Sequence, residues 1–197
     1  MMNSNVNRLV GLVGLALALS VLGACAQKFE LKGTDLGGDP APDFHLKDEN
    51  GTWFSLADWH GKVVVLTFLY THCPDECPLI ASQLHAASQQ LGSAMDQVAF
   101  VAVSVDPQND TPGSVRSFLQ DHQLTLQLHY LVGTPAELKP VWDAYYLGVQ
   151  TDPTHPGVIS HSTRIIVIDK RGKQRANFGS DLQVADLVFD VRALLNQ

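Results

Sequence analysis

Two unbroken apolar runs, "KVVVLTFLY" at residues 62–70 and "VAFVAVSV" at 98–105, constrain this chain more than any other feature. Neither alternates apolar with polar residues, so each reads as a strand buried on both faces, the kind found inside a covered parallel sheet. Between and after them the pattern changes to helical spacing. A helix is expected from about Pro78 to Leu91, with Leu79, Leu84, Ala87 and Leu91 on one side. "TPGSVRSFLQDH" offers Thr111 as an N-cap and Pro112 at the first helical position. "TPAELKPVWDAYYLG" repeats that signature and predicts a helix ending at Gly148, bent or delayed by Pro140. "TRIIVIDKRGKQRANFG" reads as a strand, a turn at Arg171-Gly172 and a second strand, and "LQVADLVFDVRALL" as a closing amphipathic helix. Upstream, "DFHLKDENGTWFSLADW" alternates around Asn50-Gly51 and predicts a hairpin.

Strands alternating with helices, then a hairpin and a terminal helix, imply an α/β domain with a mixed central β-sheet flanked by helices; the thioredoxin-like fold has this order. The chain has 197 residues, of which 45% are hydrophobic and 17% charged, enough for one domain that buries a full core without help from disulfides. No internal repeat divides it, and the domain is expected over residues 41–197. The net charge of -7 and the lack of any basic patch argue against nucleic-acid binding, which depends on clustered Lys and Arg.

The N-terminus departs from this composition. After a polar start carrying Arg8, an apolar stretch runs from Leu9 to Leu22, shorter than the ~20 residues that span a bilayer and suited to an export signal. It ends in "LGAC", which resembles the bacterial lipobox. The resemblance implies a lipoprotein signal peptide over 1–24, a lipidated Cys25 and a Gly- and Pro-rich flexible tether over 25–40. It places the domain in a bacterial cell envelope, anchored to a membrane by lipid and facing the periplasm or extracellular side. Ala26 after the lipobox favours the outer membrane by the same analogy.

With Cys25 assigned to the lipid, two of the three cysteines remain, in "YTHCPDECP" directly after the first apolar run. A disulfide, a redox couple, a metal site and plain packing are the candidate uses of Cys73 and Cys77. Packing is a poor reading for a polar turn flanked by prolines, and a structural disulfide would close too short a loop to restrain the unfolded chain strongly. Pro78 disfavours helical geometry at Cys77, so a loop is expected over "CPDEC" with the helix starting at about Pro78. Both sulfurs then lie near a helix N-terminus at the C-terminal end of a core strand, where free N–H groups favour thiolate. Redox work and metal binding both remain open. The CxxxC spacing leaves room for an ion, for which two thiolates need a third ligand.

Eight histidines are available. His85 would lie about 12 Å along the helix from Cys77, too far to share an ion. His72 adjoins Cys73 but should point elsewhere at a strand end. His155 and His161 lie in "TDPTHPGVISHSTRIIVI", a loop that packs beside the cysteine turn in a thioredoxin-like domain.

"TFLYTHCPDECPLIASQL", "VSVDPQNDTP" and "ISHSTRIIVID" together resemble the Sco/SenC family, thioredoxin-like copper proteins that help assemble the copper centre of cytochrome c oxidase. The resemblance spans about residues 41–195. It implies one copper per chain, Cu(I) or Cu(II), held by Cys73, Cys77 and His161, with His155 in reserve and Asp106 as an acidic neighbour unless that residue serves a turn or cap. Glu76 replaces the apolar residue common in the family and puts a negative charge beside Cys77. Thiolates select soft Cu(I) and imidazole suits Cu(II), in keeping with that ligand set, whereas a closed zinc site wants a fourth protein ligand.

The expected function is a membrane-tethered copper metallochaperone that delivers copper to the copper-centre site of cytochrome c oxidase subunit II, served by a periplasmic copper donor and a thiol reductant. The alternative is a thiol-disulfide oxidoreductase in which Cys73 and Cys77 keep partner cysteines reduced or respond to redox stress. A thiol peroxidase is suggested by "APDF" at Ala41, but Leu66 and Tyr70 stand where such enzymes carry Pro and Thr or Ser.

Overall fold

The computed structural model describes residues 30–151 and 159–197. Cys25, the signal segment and His155 lie outside the described residues. Strands are β1 (Thr34–Asp35), β2 (His45–Asp48), β3 (Trp53–Ser55), β4 (Val63–Leu69), β5 (Val98–Ser104), β6 (Leu128–Val132), β7 (Val149–Thr151), β8 (Ile159–His161), β9 (Ile165–Ile168) and β10 (Gln174–Phe178). The α-helices are α1 (Glu76–Leu91), α2 (Pro112–Asp121), α3 (Pro135–Ala144) and α4 (Val184–Leu195). Short 3-10 turns cover Leu56–Trp59 and Gly92–Gln97.

Eight strands form one mixed sheet in the order β1-β10-β9-β4-β5-β6-β2-β3. β4, β5 and β6 run parallel, and β9 is antiparallel to β4. Every residue of β4 and β5 is buried, as unbroken apolar runs require when both faces are covered. The expected hairpin is β2–β3, with Gly51 in the left-handed region at φ 81; it joins the sheet through antiparallel pairing of β2 with β6. Thr111 caps α2, accepting from Ser114 N at 3.2 Å. Thr134 caps α3 and Glu137 returns the bond in a capping box.

The third helix ends at Ala144 rather than Gly148. Tyr146 takes the left-handed terminating conformation, φ 53, and Leu147 N closes onto Trp142 O at 2.8 Å. Pro140 is carried inside the helix. Side-chain anchors hold it there, Trp142 Nε1 donating to Ser104 O at 2.9 Å and the neighbouring Tyr145 hydroxyl to Pro42 O at 2.7 Å.

Three elements were not foreseen. β6, the third parallel strand, lies in "LHYLV", a stretch to which the sequence reading assigned no element. β7 and β8 pair antiparallel in a separate two-stranded sheet, within the stretch expected as a loop. Residues 31–40, read in sequence as part of the tether, are docked on the domain. There β1 pairs with β10, and Lys32 N and Gly33 N donate to the buried Asp190 carboxylate of α4 at 2.7 and 3.0 Å. The compact unit accordingly spans Leu31–Gln197. Among the described residues, no helix is long and apolar enough to cross a membrane.

Candidate metal centre

Parallel strands bring the loops at their C-terminal ends together, and here the loop after β4 meets the loop after β5. Val105 N donates to Leu69 O at 3.0 Å, which fixes the two strand ends side by side. The chain leaves β4 at Tyr70, and Cys73 N turns back to Tyr70 O at 3.3 Å. α1 starts at Glu76, two residues before the expected Pro78, so Cys77 lies in its first turn. Pro78 is tolerated because it is the third helical residue, whose N–H would have no intrahelical partner, and the carbonyl its ring would crowd belongs to Pro74, outside the helix.

This start places the two sulfurs in unequal surroundings. Cys77 is fully buried, whereas Cys73 is partly exposed, and both are free thiols. The Cys73 sulfur accepts from Cys77 N at 3.3 Å. A hydrogen bond from the Cys77 thiol is the main reason the Cys73 pKa falls to about 5; backbone N–H groups of Asp75 and Cys77 and the Tyr70 hydroxyl add to it, and burial opposes it. The same thiol-thiol bond, together with burial, pushes the Cys77 thiol well up. Tyr70 is pushed up to about 12 by burial and by the neighbouring Cys73 charge. One accessible thiolate backed by a buried, protonated thiol is the result. Of Cys73 and Cys77, alkylation of reduced protein should therefore modify Cys73, with a rate that rises with pH around a midpoint of about 5 and is flat from about pH 7 upward. Mass mapping of the labelled cysteine against pH checks it, and a midpoint near 8.5 would contradict the hydrogen-bonded thiolate.

His161 ends β8. Its Nδ1 contacts Ser162 O at 3.2 Å, and because a carbonyl can only accept, that bond selects the Nδ1–H tautomer and leaves the Nε2 lone pair for a ligand. The Tyr70 and His161 rings lie 6.1 Å apart edge-to-face, and the Tyr70 hydroxyl donates to Ile159 O at 3.3 Å. Tyr70 thus touches both Cys73 and the imidazole. As placed, the dithiol and His161 do not close into a cluster: among the described residues, no group of three His, Cys, Asp or Glu is close enough to hold an ion.

Asp106 is buried, but its carboxylate serves its own turn, accepting from Asn109 N at 3.3 Å and Asn109 Nδ2 at 2.8 Å. The buried acid that ties the cysteine loop down is Asp110, which sequence reasoning missed. Its Oδ1 accepts from Thr71 N at 2.9 Å and Thr71 Oγ1 at 2.8 Å, and its Oδ2 from Ser104 Oγ at 2.6 Å and Tyr130 Oη at 3.0 Å. Burial raises its pKa despite those bonds. Standing just before an N-cap threonine, Asp110 looks in sequence like an ordinary helix-start acid, and only the buried Ser104 and Tyr130 and the half-buried Thr71 around it mark it out. Glu76 is exposed and accepts from the Thr163 hydroxyl. His72 is exposed and bonds Thr71 Oγ1 at 3.1 Å, and His85 bonds Gln123 O at 3.2 Å. A cavity of about 560 Å³ opens at the opposite end of the sheet beside Trp59, Val98 and His129, and shares no residue with the cysteine loop.

A protein-family model described as SCO1/SenC matches residues 32–196. The chain is 27% identical over 154 residues to an SCO2-like protein of Rickettsia conorii, covering 76% of this chain and 74% of that protein. Among solved structures, ScoI of Bradyrhizobium japonicum with copper bound is similar at 28% identity and a TM-score of 0.71, covering 79% of this chain and 99% of that one. Apo Sco1 of Thermus thermophilus is similar at 27% identity and a TM-score of 0.74, covering 86% and 100%.

Proposed function

This chain belongs to the SCO1/SenC family, and on that premise we propose that it binds one copper through Cys73, Cys77 and His161 and passes it to the copper centre of cytochrome c oxidase subunit II. The observation that carries the reading is the hydrogen-bonded pair of a partly exposed Cys73 and a buried Cys77, with Tyr70 in contact with both Cys73 and the His161 ring. Soft sulfur favours Cu(I), and imidazole extends the set to Cu(II). Cys73 is already ionised near neutral pH and offers a lone pair without waiting for a base. Cys77 must give up its proton when copper enters, and the charge of the ion offsets the burial that otherwise keeps the thiol neutral. His161 completes the set by moving toward the dithiol, and its withdrawal leaves a two-sulfur site from which copper can be taken by ligand exchange. The copper-bound Bradyrhizobium relative supports the cargo. Delivery to the oxidase, a periplasmic copper donor, and lipid anchoring through Cys25 in a bacterial envelope are parts of the same proposal.

The inequality of the two thiols also favours a second reading, a thiol-disulfide reductase. In it the Cys73 thiolate attacks a partner disulfide and displaces one partner sulfur as thiolate. Cys77 then loses its proton and attacks Cys73, releasing the second partner sulfur, so that two electrons pass to the partner.

Anaerobic titration of the reduced, copper-free full chain in detergent with equimolar Cu(II), followed by absorption and paramagnetic resonance, tests the proposal. A sulfur-to-copper charge-transfer band saturating at one equivalent is expected, lost in His161→Ala while exchange with a small disulfide survives. Oxidation of the dithiol with no such band in the wild-type protein would leave only the reductase reading.

A further inference from the structure

Glu76 occupies the first position of α1, between the two cysteines in sequence, and its side chain leaves the helix toward the segment that follows β8. Its Oε2 accepts a hydrogen bond from the hydroxyl of Thr163, 87 positions away and two past His161. At the next residue, Arg164 O accepts from Thr67 Oγ1 of β4 at 2.9 Å. The peptide leading out of His161 is therefore pinned at consecutive residues, once to the helical turn that carries Cys77 and once to the strand that feeds the cysteine loop. On its other side, among the described residues, His161 is held by the short β7–β8 pairing, Val149 opposite His161, and through Ile159 O, which accepts from the Tyr70 hydroxyl at 3.3 Å. From Thr163 back to His161 the chain can extend at most about 7 Å. While Glu76 holds Thr163, the imidazole stays within a short swing of the dithiol.

Resting on the reading of His161 as the third copper ligand, we propose that the Glu76–Thr163 hydrogen bond is a latch that keeps His161 in reach of Cys73 and Cys77, and that Glu76 is a positioning residue of the copper site. Glu76 is exposed and Thr163 half-buried. A bond in that setting is worth about one ordinary net hydrogen bond, so its loss should weaken copper binding about fivefold and leave the fold intact.

The test is competition for Cu(I) between the reduced full chain in detergent and a chromogenic chelator. Glu76→Ala and Thr163→Val should each weaken Cu(I) binding about fivefold, and the double variant no further than either one. Glu76→Gln keeps an amide oxygen that can accept from Thr163 and should stay within about twofold of wild type. In a His161→Ala background, Glu76→Ala should cause no additional loss. The pH profile of Cys73 alkylation in Thr163→Val should match wild type, because the dithiol itself is untouched. Additive single losses, a Glu76→Gln as weak as Glu76→Ala, or unchanged affinity in both single variants would each overturn the latch. If His161→Ala alone binds Cu(I) as tightly as wild type, the three-ligand reading falls and the latch with it, an outcome distinct from failure of the latch alone.

Discussion

Cys73→Ser should weaken Cu(I) binding by on the order of a thousandfold, about 4 kcal/mol, and should do so without unfolding the protein. A serine hydroxyl stays protonated at neutral pH and is a hard oxygen donor, so the change removes the one sulfur that is already ionised. Changes to groups that merely support a metal ligand typically cost 10–100-fold, and loss of a thiolate ligand should exceed that. The remaining thiol is no substitute by itself, since Cys77 is fully buried. Cys73 is only partly buried and the replacement is nearly isosteric, so the variant should still fold; it nevertheless loses the stability that the lowered Cys73 pKa supplies at neutral pH, so the urea midpoints of the two copper-free proteins should differ at pH 7 and converge below about pH 5. Chelator competition and urea unfolding on the same sample separate the two effects. A loss below about tenfold would remove Cys73 from the ligand set.

The second large effect is on stability. Asp110→Ala should destabilise the copper-free protein by about 3–5 kcal/mol, a large share of the 5–15 kcal/mol by which domains are ordinarily stable. Four donors converge on this carboxylate, three of them hydroxyls of Thr71, Ser104 and Tyr130 and the fourth the amide of Thr71. Alanine leaves the Ser104 and Tyr130 hydroxyls buried and the Thr71 donors partly buried without this acceptor, at about 1–3 kcal/mol for each buried polar group left unpaired, less what relaxation recovers. Asp110→Asn retains one acceptor oxygen and should cost less. The two variants should also differ from wild type in their pH dependence. Because burial holds the Asp110 pKa above its ordinary value, the folded protein binds that proton more tightly than the unfolded chain. This group's contribution is therefore greatest below the ordinary value of 3.8 and declines as pH rises through the raised one, a slope that neither variant has. Urea midpoints for the three proteins between pH 3 and 7 measure both points, and an Asp110→Ala loss under about 1 kcal/mol would show that the network is not holding the loop.

Thr71 also explains why that stability loss should reach the copper site. It lies two residues before Cys73 and makes two of the four bonds to Asp110. The acid thus clamps the start of the cysteine loop to the loop after β5, although it touches neither sulfur through any of those bonds.

How much of this was legible beforehand depended on how local each feature is. The buried strands β4 and β5, the hairpin at Asn50-Gly51, the Thr111 and Thr134 caps and the pairing of Cys73 with Cys77 all follow from neighbours within a few residues of one another. Helix starts were less well resolved. Pro78 argues locally against helix at Cys77, yet the helix runs from Glu76, since its first turn has no internal N–H bonds for proline to remove. The end of α3 was missed for a related reason: Gly148 was the expected terminator, whereas the left-handed residue is Tyr146, held where the Trp142 and Tyr145 side chains find distant carbonyls.

The amino-acid order by itself determined the α/β architecture and the strand-to-helix position of the cysteine pair, and motif resemblance supplied the proposal that His161 joins it. Tertiary structure alone decided what stands around that pair: Tyr70 in contact with both Cys73 and the His161 ring, Asp110 rather than Asp106 anchoring the loop, and Glu76 bound to Thr163. Periodicity and capping are written in residues three or four apart, so a sequence carries them openly. A hydrogen bond across 39 or 87 positions has no such local trace, and comes into being only when the sheet has brought the ends of its strands together.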